Sequence, residues 1–188
     1  MALTQSLNVQ PGDMVSVVGA GGKTTALFRL AKELRESGGK ILVSTTSKMY
    51  KPNKPHVDRL FLVQDAGAFI SESRKIPGPA VIGAGSEVDE EGKLLGLPAG
   101  WLDDIKRAAE FDAILVEADG AASRLLKIPS ELEPIIPQLS NLVIWSMAIK
   151  VLGKPLDAAS VHRSERALAL LGVPAGTILT QEHVVKLL

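Results

Sequence analysis

The segment Gly19-Ala20-Gly21-Gly22-Lys23-Thr24-Thr25 constrains the fold of this chain more than any other. It follows a short apolar run, Met14 to Val18, and precedes a stretch in which Leu27, Leu30, Ala31 and Leu34 recur at helical spacing. The run reads as a strand. The stretch reads as a helix from about Thr24 to Ser37, stopped by Gly38-Gly39. A second apolar run, Ile41 to Ser44, comes next. Strand, glycine-rich turn, helix and strand make a βαβ unit, and continuous apolar strands predict a parallel sheet covered on both faces.

The turn has the chemistry of an anion cradle. Glycines remove side chains that would keep the backbone from wrapping an anion, so that successive N–H groups can converge on it. The following helix aims its free N–H groups and positive dipole end at the same place. Lys23 adds a mobile charge for terminal phosphates, and the Thr24 hydroxyl is placed to ligate Mg²⁺. The expected fold class is therefore α/β, a P-loop NTPase-like three-layer fold with a mostly parallel sheet. Gly19, Ala20, Gly21, Gly22, Lys23, Thr24 and Thr25 are expected to hold the phosphates of ATP or GTP. The full spacing G-x-x-x-x-G-K-[ST] asks for glycine at Val17, so only the shorter G-x-x-G-K-T-T is present. The alternative is a tight structural turn with a solvated lysine.

Ligands of open α/β sheets collect beyond the carboxyl ends of the strands. That rule draws two further segments toward the turn. In Ser44-Thr45-Thr46-Ser47-Lys48, the hydroxyls of Thr45 and Thr46 are candidates for Mg²⁺ or water, and Thr46 and Lys48 for a second anion or substrate. The other segment, Glu117-Ala118-Asp119-Gly120, ends the apolar run Phe111 to Val116. A carboxylate after an apolar strand suits Mg²⁺, which takes oxygen ligands. Asp119 is taken as the metal-side residue and Glu117 as the organiser of water or substrate, with an exchange of roles left open. Lys23, Glu117 and Asp119 form the expected catalytic group. Arg124, Lys127, His162 and Arg163 are candidates for phosphate or an acidic substrate, against the alternative of ordinary solvated or structural residues.

The rest of the chain completes one expected domain over 1–188. Arg59 to Val63 and Leu142 to Trp145 read as strands, the latter in the core. Ala66 to Ser73, a segment begun by Pro98, Arg163 to Leu171 and Thr180 to Leu188 read as helices. An acidic stretch, Glu87 to Glu91, lies within a surface hairpin expected over 80–97.

Lys plus Arg and Asp plus Glu each number 21, which leaves no net field for wrapping nucleic acid. The absence of cysteine excludes disulfides, thiolate nucleophiles and Cys-ligated metals. The start, Met1-Ala2-Leu3-Thr4-Gln5, lacks a signal-peptide pattern, and no stretch approaches the roughly 18 apolar residues of a membrane span. A cytoplasmic location without membrane or nucleic-acid partners is expected.

Several motifs in order carry a resemblance. They are Val18 to Thr25, Thr45-Thr46-Ser47-Lys48-Met49, Val116 to Ala122, Lys127-Ile128-Pro129, Glu133-Pro134-Ile135-Ile136-Pro137 and His162-Arg163. The chain resembles the YqeC family, associated with selenium-dependent molybdenum hydroxylases. The resemblance implies a P-loop-like protein that assists maturation of a selenium-containing molybdenum cofactor. It implies phosphate contacts at Gly19, Gly21, Gly22, Lys23 and Thr24 and an acidic motif at Glu117 and Asp119. Ser47, Ser123-Arg124-Leu125-Leu126 and Met147-Ala148-Ile149-Lys150 depart from the family pattern, and a further strand and helix are expected beyond the C-terminus. Three functions follow as expectations: an Mg²⁺-dependent NTP-using accessory enzyme, a nucleotide-gated scaffold that delivers a cofactor, or a ligase that activates a carboxylate with ATP. The partners expected are the nucleotide and a small molecule or hydroxylase-maturation protein.

Overall fold

The long apolar runs converge in one parallel sheet. The computed structural model describes residues 2–187. A short helix, α1 (Leu3–Ser6), leads into β1 (Asp13–Gly19), α2 (Lys23–Glu36) and β2 (Lys40–Thr45). Next come β3 (Lys48–Tyr50), β4 (Arg59–Leu62), α3 (Ala66–Arg74), β5 (Ala80–Gly85), β6 (Lys93–Leu95), α4 (Ala99–Arg107) and β7 (Ala113–Glu117). The remainder is β8 (Leu126–Lys127), β9 (Leu142–Ser146), a 3₁₀ turn at Ile149–Val151, β10 (Val161–His162), α5 (Ser164–Leu171) and α6 (Gln181–Lys186). The helix expected through Leu188 ends at Lys186. Leu188, like Met1 of the start, lies outside the described residues.

The six-stranded sheet has the order β4-β5-β2-β7-β1-β9, and all its pairings are parallel. Alternate residues of each strand point to opposite faces. Val15, Val17, Ile41, Val43 and Leu115 meet Leu27, Leu30 and Ala31 of α2. Met14, Leu42, Ile82, Ile114 and Val116 meet Phe69 of α3 and Leu102 and Ile105 of α4. Helices therefore cover both faces, which is why the central strands are apolar throughout rather than alternating. Leu27, Leu30 and Leu102 are fully buried, each worth roughly 1.5–3 kcal/mol.

Two expectations are corrected. Leu142–Trp145 was expected in the core. Strand β9 instead occupies the sheet edge beside β1, with Val143 exposed. In the segment 80–97, β5 is a sheet strand between β4 and β2. The antiparallel excursion is confined to residues 86–95, where Val88 bridges Leu94 and β6 pairs with β3.

The C-terminal flank builds its own apolar cluster. Leu126, Ile128, Val151, Leu156, Val161, Ala167, Leu179 and Val184 are all buried in it. Among the described residues it holds the two-residue pairing of β8 with β10 and an antiparallel bridge between Pro155 and Ile178. Trp145 packs against both this cluster and the α4 face of the sheet. Among the described residues, no helix is long and apolar enough to cross a membrane.

Candidate functional site

Strand β7 lies directly between β1 and β2. Glu117 is in register with Val17 on one side and Thr45 on the other. Three strand ends therefore meet within two strand spacings of about 4.8 Å each. The glycine-rich turn leaves β1 at that point and becomes α2.

The turn is clamped against the end of β9. The Ala20 N–H donates to the Ser146 carbonyl at 2.7 Å, and the Ser146 hydroxyl donates to the Gly21 carbonyl at 2.7 Å. Gly21 has φ +73°, and a Cβ there would sit 2.5 Å from the Ala148 nitrogen. Only glycine meets both demands. The N–H groups of Gly21, Gly22, Lys23, Thr24 and Thr25 donate to no protein acceptor among the described residues. The helix start has no side-chain cap, so its orphan donors are left for something other than protein.

A chain of charges runs beneath the turn. The Lys23 ammonium donates to the Gly19 carbonyl at 2.7 Å and lies 3.1 Å from Asp119 Oδ1 and 3.8 Å from Glu117 Oε1. The Thr24 hydroxyl donates to Glu117 Oε2 at 2.8 Å. Asp119 Oδ2 accepts the Gly19 N–H at 3.0 Å and lies 3.2 Å from the Lys127 ammonium. Lys127 also reaches the Gly120 carbonyl and, at 2.8 Å, Glu133 Oε2. Arg163 closes the chain on the same Glu133 oxygen at 2.6 Å. Three cations and three carboxylates thus share one buried or half-buried path. Asp119 Oδ1 is a buried oxygen without an aligned hydrogen bond, because Lys23 faces it only as an ion.

Environment separates the carboxylates. Burial pushes the Glu117 carboxyl up, opposed by Lys23 and the Thr24 hydroxyl. Burial also acts on Glu133, but hydrogen bonds from Lys127 and Arg163 together outweigh it and lower its pKa. His162 is lowered by burial and by repulsion from Arg163 and Lys127.

A cavity of about 800 Å³ opens over these groups. Gly21 to Thr25 and Glu117 line one part, Lys48 to Tyr50 with Lys93 another, and Gly120 to Leu125 with Ala148 to Lys150 the rest. Gly19 and Ala20 are buried beneath the turn. Asp119 and Lys127 lie behind the cavity wall. The Thr45 hydroxyl is committed to the Glu117 carbonyl at 2.7 Å, and that of Thr46 to the Ile135 carbonyl at 2.6 Å. Of the residues expected to meet a second anion, Lys48 and Arg124 reach the cavity. Thr46, Lys127, His162 and Arg163 do not. Sequence reasoning passed over Ser146 and Lys150, although Ser146 ends the apolar run of β9 and the strand-end rule points to it.

The Thr24 and Glu117 oxygens form the pair best suited to a hard cation. Mg²⁺ is commonly held by one or two protein oxygens together with substrate phosphates. Among the described residues no group of three His, Cys, Asp or Glu gathers for a metal.

The protein-family model described as "YqeC protein" matches residues 15–165. The chain belongs to the YqeC family. The match runs from β1 into the first turn of α5 and spans the whole charge chain of this protein, from Lys23 to Arg163. An Escherichia coli (strain K12) relative described as "Uncharacterized protein YqeC" is 34% identical over 174 residues. That alignment covers 93% of this chain and 66% of the relative, so the chain spans about two thirds of that YqeC protein's length. No solved structure matches. The architecture of this YqeC-family chain is compatible with nucleotide-binding proteins in general.

Proposed function

We propose that this chain binds ATP or GTP with Mg²⁺ at Gly21–Thr25 and hydrolyses the nucleotide or transfers its terminal phosphoryl group. The observation that carries this reading is the set of five successive N–H groups, Gly21 to Thr25, that follow β1 and open α2 without a protein acceptor among the described residues, beside the Thr24–Glu117 oxygen pair. Such donors bind phosphate through fixed dipoles at little reorganisation cost. Mg²⁺, when bound, would supply charge that offsets that of the phosphates. Thr24 and Glu117 would hold it. Lys23 would exchange its contacts with the Gly19 carbonyl and Asp119 for the terminal phosphate. Asp119 does not touch the ligand in this reading. It holds the Gly19 N–H and Lys23, and the metal-side role passes to Glu117.

The pathway, an accessory step in maturation of a selenium-containing molybdenum cofactor or hydroxylase, rests on the family resemblance alone. A second reading, a nucleotide-gated scaffold, is favoured by the charge chain. Withdrawing Lys23 from Asp119 changes the balance felt by Lys127, Glu133 and Arg163.

Calorimetric titration with ATP, GTP and CTP, each with Mg²⁺, tests binding, and turnover with candidate cofactor precursors tests the pathway. Lys23→Ala is expected to lower turnover at least about a hundredfold, the usual cost of losing a donor aimed at a developing oxyanion. A folded Lys23→Ala protein with undiminished turnover rules out that role. Slow turnover that rises only with a maturation partner selects the scaffold.

A further inference from the structure

We propose that the cavity wall formed by Gly120–Leu125 and Ala148–Lys150 binds a second small molecule, an organic acid bearing a carboxylate or phosphate, beside the nucleotide. The proposal rests on the nucleotide reading and names the class of the second substrate.

Charge is the first argument. The chain has equal numbers of basic and acidic residues, yet the cavity is lined by Lys23, Lys48, Lys93, Arg124 and Lys150 against Glu117 alone. Lys48 is answered by Asp89 at 3.1 Å and Lys93 by Glu91 at 2.6 Å, and neither acid lines the cavity. Lys23 belongs to the charge chain beneath the turn. Arg124 and Lys150 have no ion pair among the described residues. They exceed what the glycine-rich turn requires, because that turn already offers Lys23 and five N–H groups.

Backbone construction is the second argument. The Ala148 N–H donates to the Leu125 carbonyl at 2.9 Å, which sets the two segments side by side. The Leu125 N–H donates to the Ser160 carbonyl at 3.0 Å, and Lys127 holds the Gly120 carbonyl at the other end. Between these anchors, Ala122 (φ +47°) and Ser123 (φ +58°) adopt the left-handed region. For residues with side chains this conformation is strained and persists only when the surroundings impose it. The N–H groups of Gly120, Ala121, Ala122 and Ser123 donate to no protein acceptor among the described residues. Consecutive free N–H groups in a tight turn make an anion-binding concavity. The same wall touches the phosphate turn, since Ala148 is the residue against which Gly21 packs.

The chemistry of the ligand follows. The planar fork of Arg124 matches a carboxylate or phosphate with two parallel hydrogen bonds. Tyr50 and Ile149, both lining the cavity and largely exposed, offer contact for a carbon skeleton. A volume of about 800 Å³ lies in the upper part of the usual range for small-molecule sites, about 300–1,000 Å³.

Amide chemical-shift titrations test the site at low ionic strength, where weak charge interactions are least screened. The probes are inorganic phosphate and benzoate, each with and without a saturating Mg²⁺ complex of a non-hydrolysable ATP analogue. Saturable shifts of Ala121 to Leu125 are expected with the nucleotide bound. Combined Arg124→Gln and Lys150→Gln substitution should weaken them at least tenfold and change nucleotide affinity less than twofold. The phosphate and benzoate arms show which anion the wall prefers. No saturable shift at Ala121 to Leu125, or loss of nucleotide affinity instead, overturns the proposal. If the wild-type protein binds no nucleotide, the parent reading fails, and the nucleotide-free titration still decides this one by the same comparison of variants.

Discussion

The sheet end and the C-terminal flank meet at Asp119, yet they are held by different forces. At the sheet end, β1, β7 and β2 are joined by continuous parallel ladders, and Glu117 is fixed by register on both sides. In the flank, β8 and β10 share two residue pairs, and an ionic connection to the sheet end runs from Arg163 and Glu133 through Lys127 to Asp119. Backbone hydrogen bonds set distance. Buried ion pairs set charge balance and fail together when one member goes, because the partner is left buried and unpaired. The site thus has a rigid half that positions groups and a half whose integrity depends on neutrality.

The sharpest way to break this contrast is Lys127→Met. It leaves Asp119 and Glu133 facing each other without their shared cation. The expected cost is about 3–5 kcal/mol, read as a lower urea midpoint at an unchanged slope. Hydrogen exchange in α5 should accelerate before exchange in β1 and β7 does. A loss below 1 kcal/mol would mean that the flank stands on its apolar cluster alone.

A smaller effect tests charge on the sheet side. Glu33 accepts the Thr4 N–H at 2.9 Å, the Thr4 hydroxyl at 3.2 Å and Arg29 at 3.0 Å, latching α1 to α2. The Thr4 N–H above all, working against burial, lowers its pKa to about 2 from an ordinary 4.5. A depressed carboxyl stabilises the fold fully above the ordinary value and loses that contribution as pH falls toward 2. Glu33→Gln should remove about 1–2 kcal/mol at neutral pH, after allowance for solvent, and flatten the stability curve between pH 5 and about 2. An unchanged acid limb would show that the latch carries no weight.

The smallest effect lies at the far end of the flank. The Thr180 side chain caps α6 by accepting the His183 N–H at 3.3 Å. Thr180→Ala should cost about 1 kcal/mol by thermal denaturation. It should leave the phosphate turn untouched.

Much of the sheet end was legible in the sequence. Met14 to Val18, the glycine-rich turn and the Leu27, Leu30, Ala31 stripe carry local signals, and each falls in the element those signals predict. The acidic group after Phe111 to Val116 was equally plain. That Glu117 still belongs to β7 while the chain has left the strand by Asp119 was not. Strand order was invisible, since nothing in Ala113 to Glu117 says that it inserts between β1 and β2. The edge position of β9 was hidden for the same reason. Two-residue strands such as β8 and β10 have no periodicity to read. Lys127 read as a contact for phosphate or an acidic substrate, or as a solvated residue, and no local pattern shows it turning inward to Asp119 and Glu133.

The insertion of β7 between β1 and β2 has a consequence for how this protein tolerates change. The span from the end of β1 to Glu117 is fixed by main-chain bonding across adjacent ribbons, and α2 then carries Thr24 to that carboxylate. Trimming a methyl group from Ile114 or Leu42 should therefore lower the melting temperature well before it detunes the chemistry. Sequences could drift widely inside the sheet while the few atoms at its rim keep their spacing.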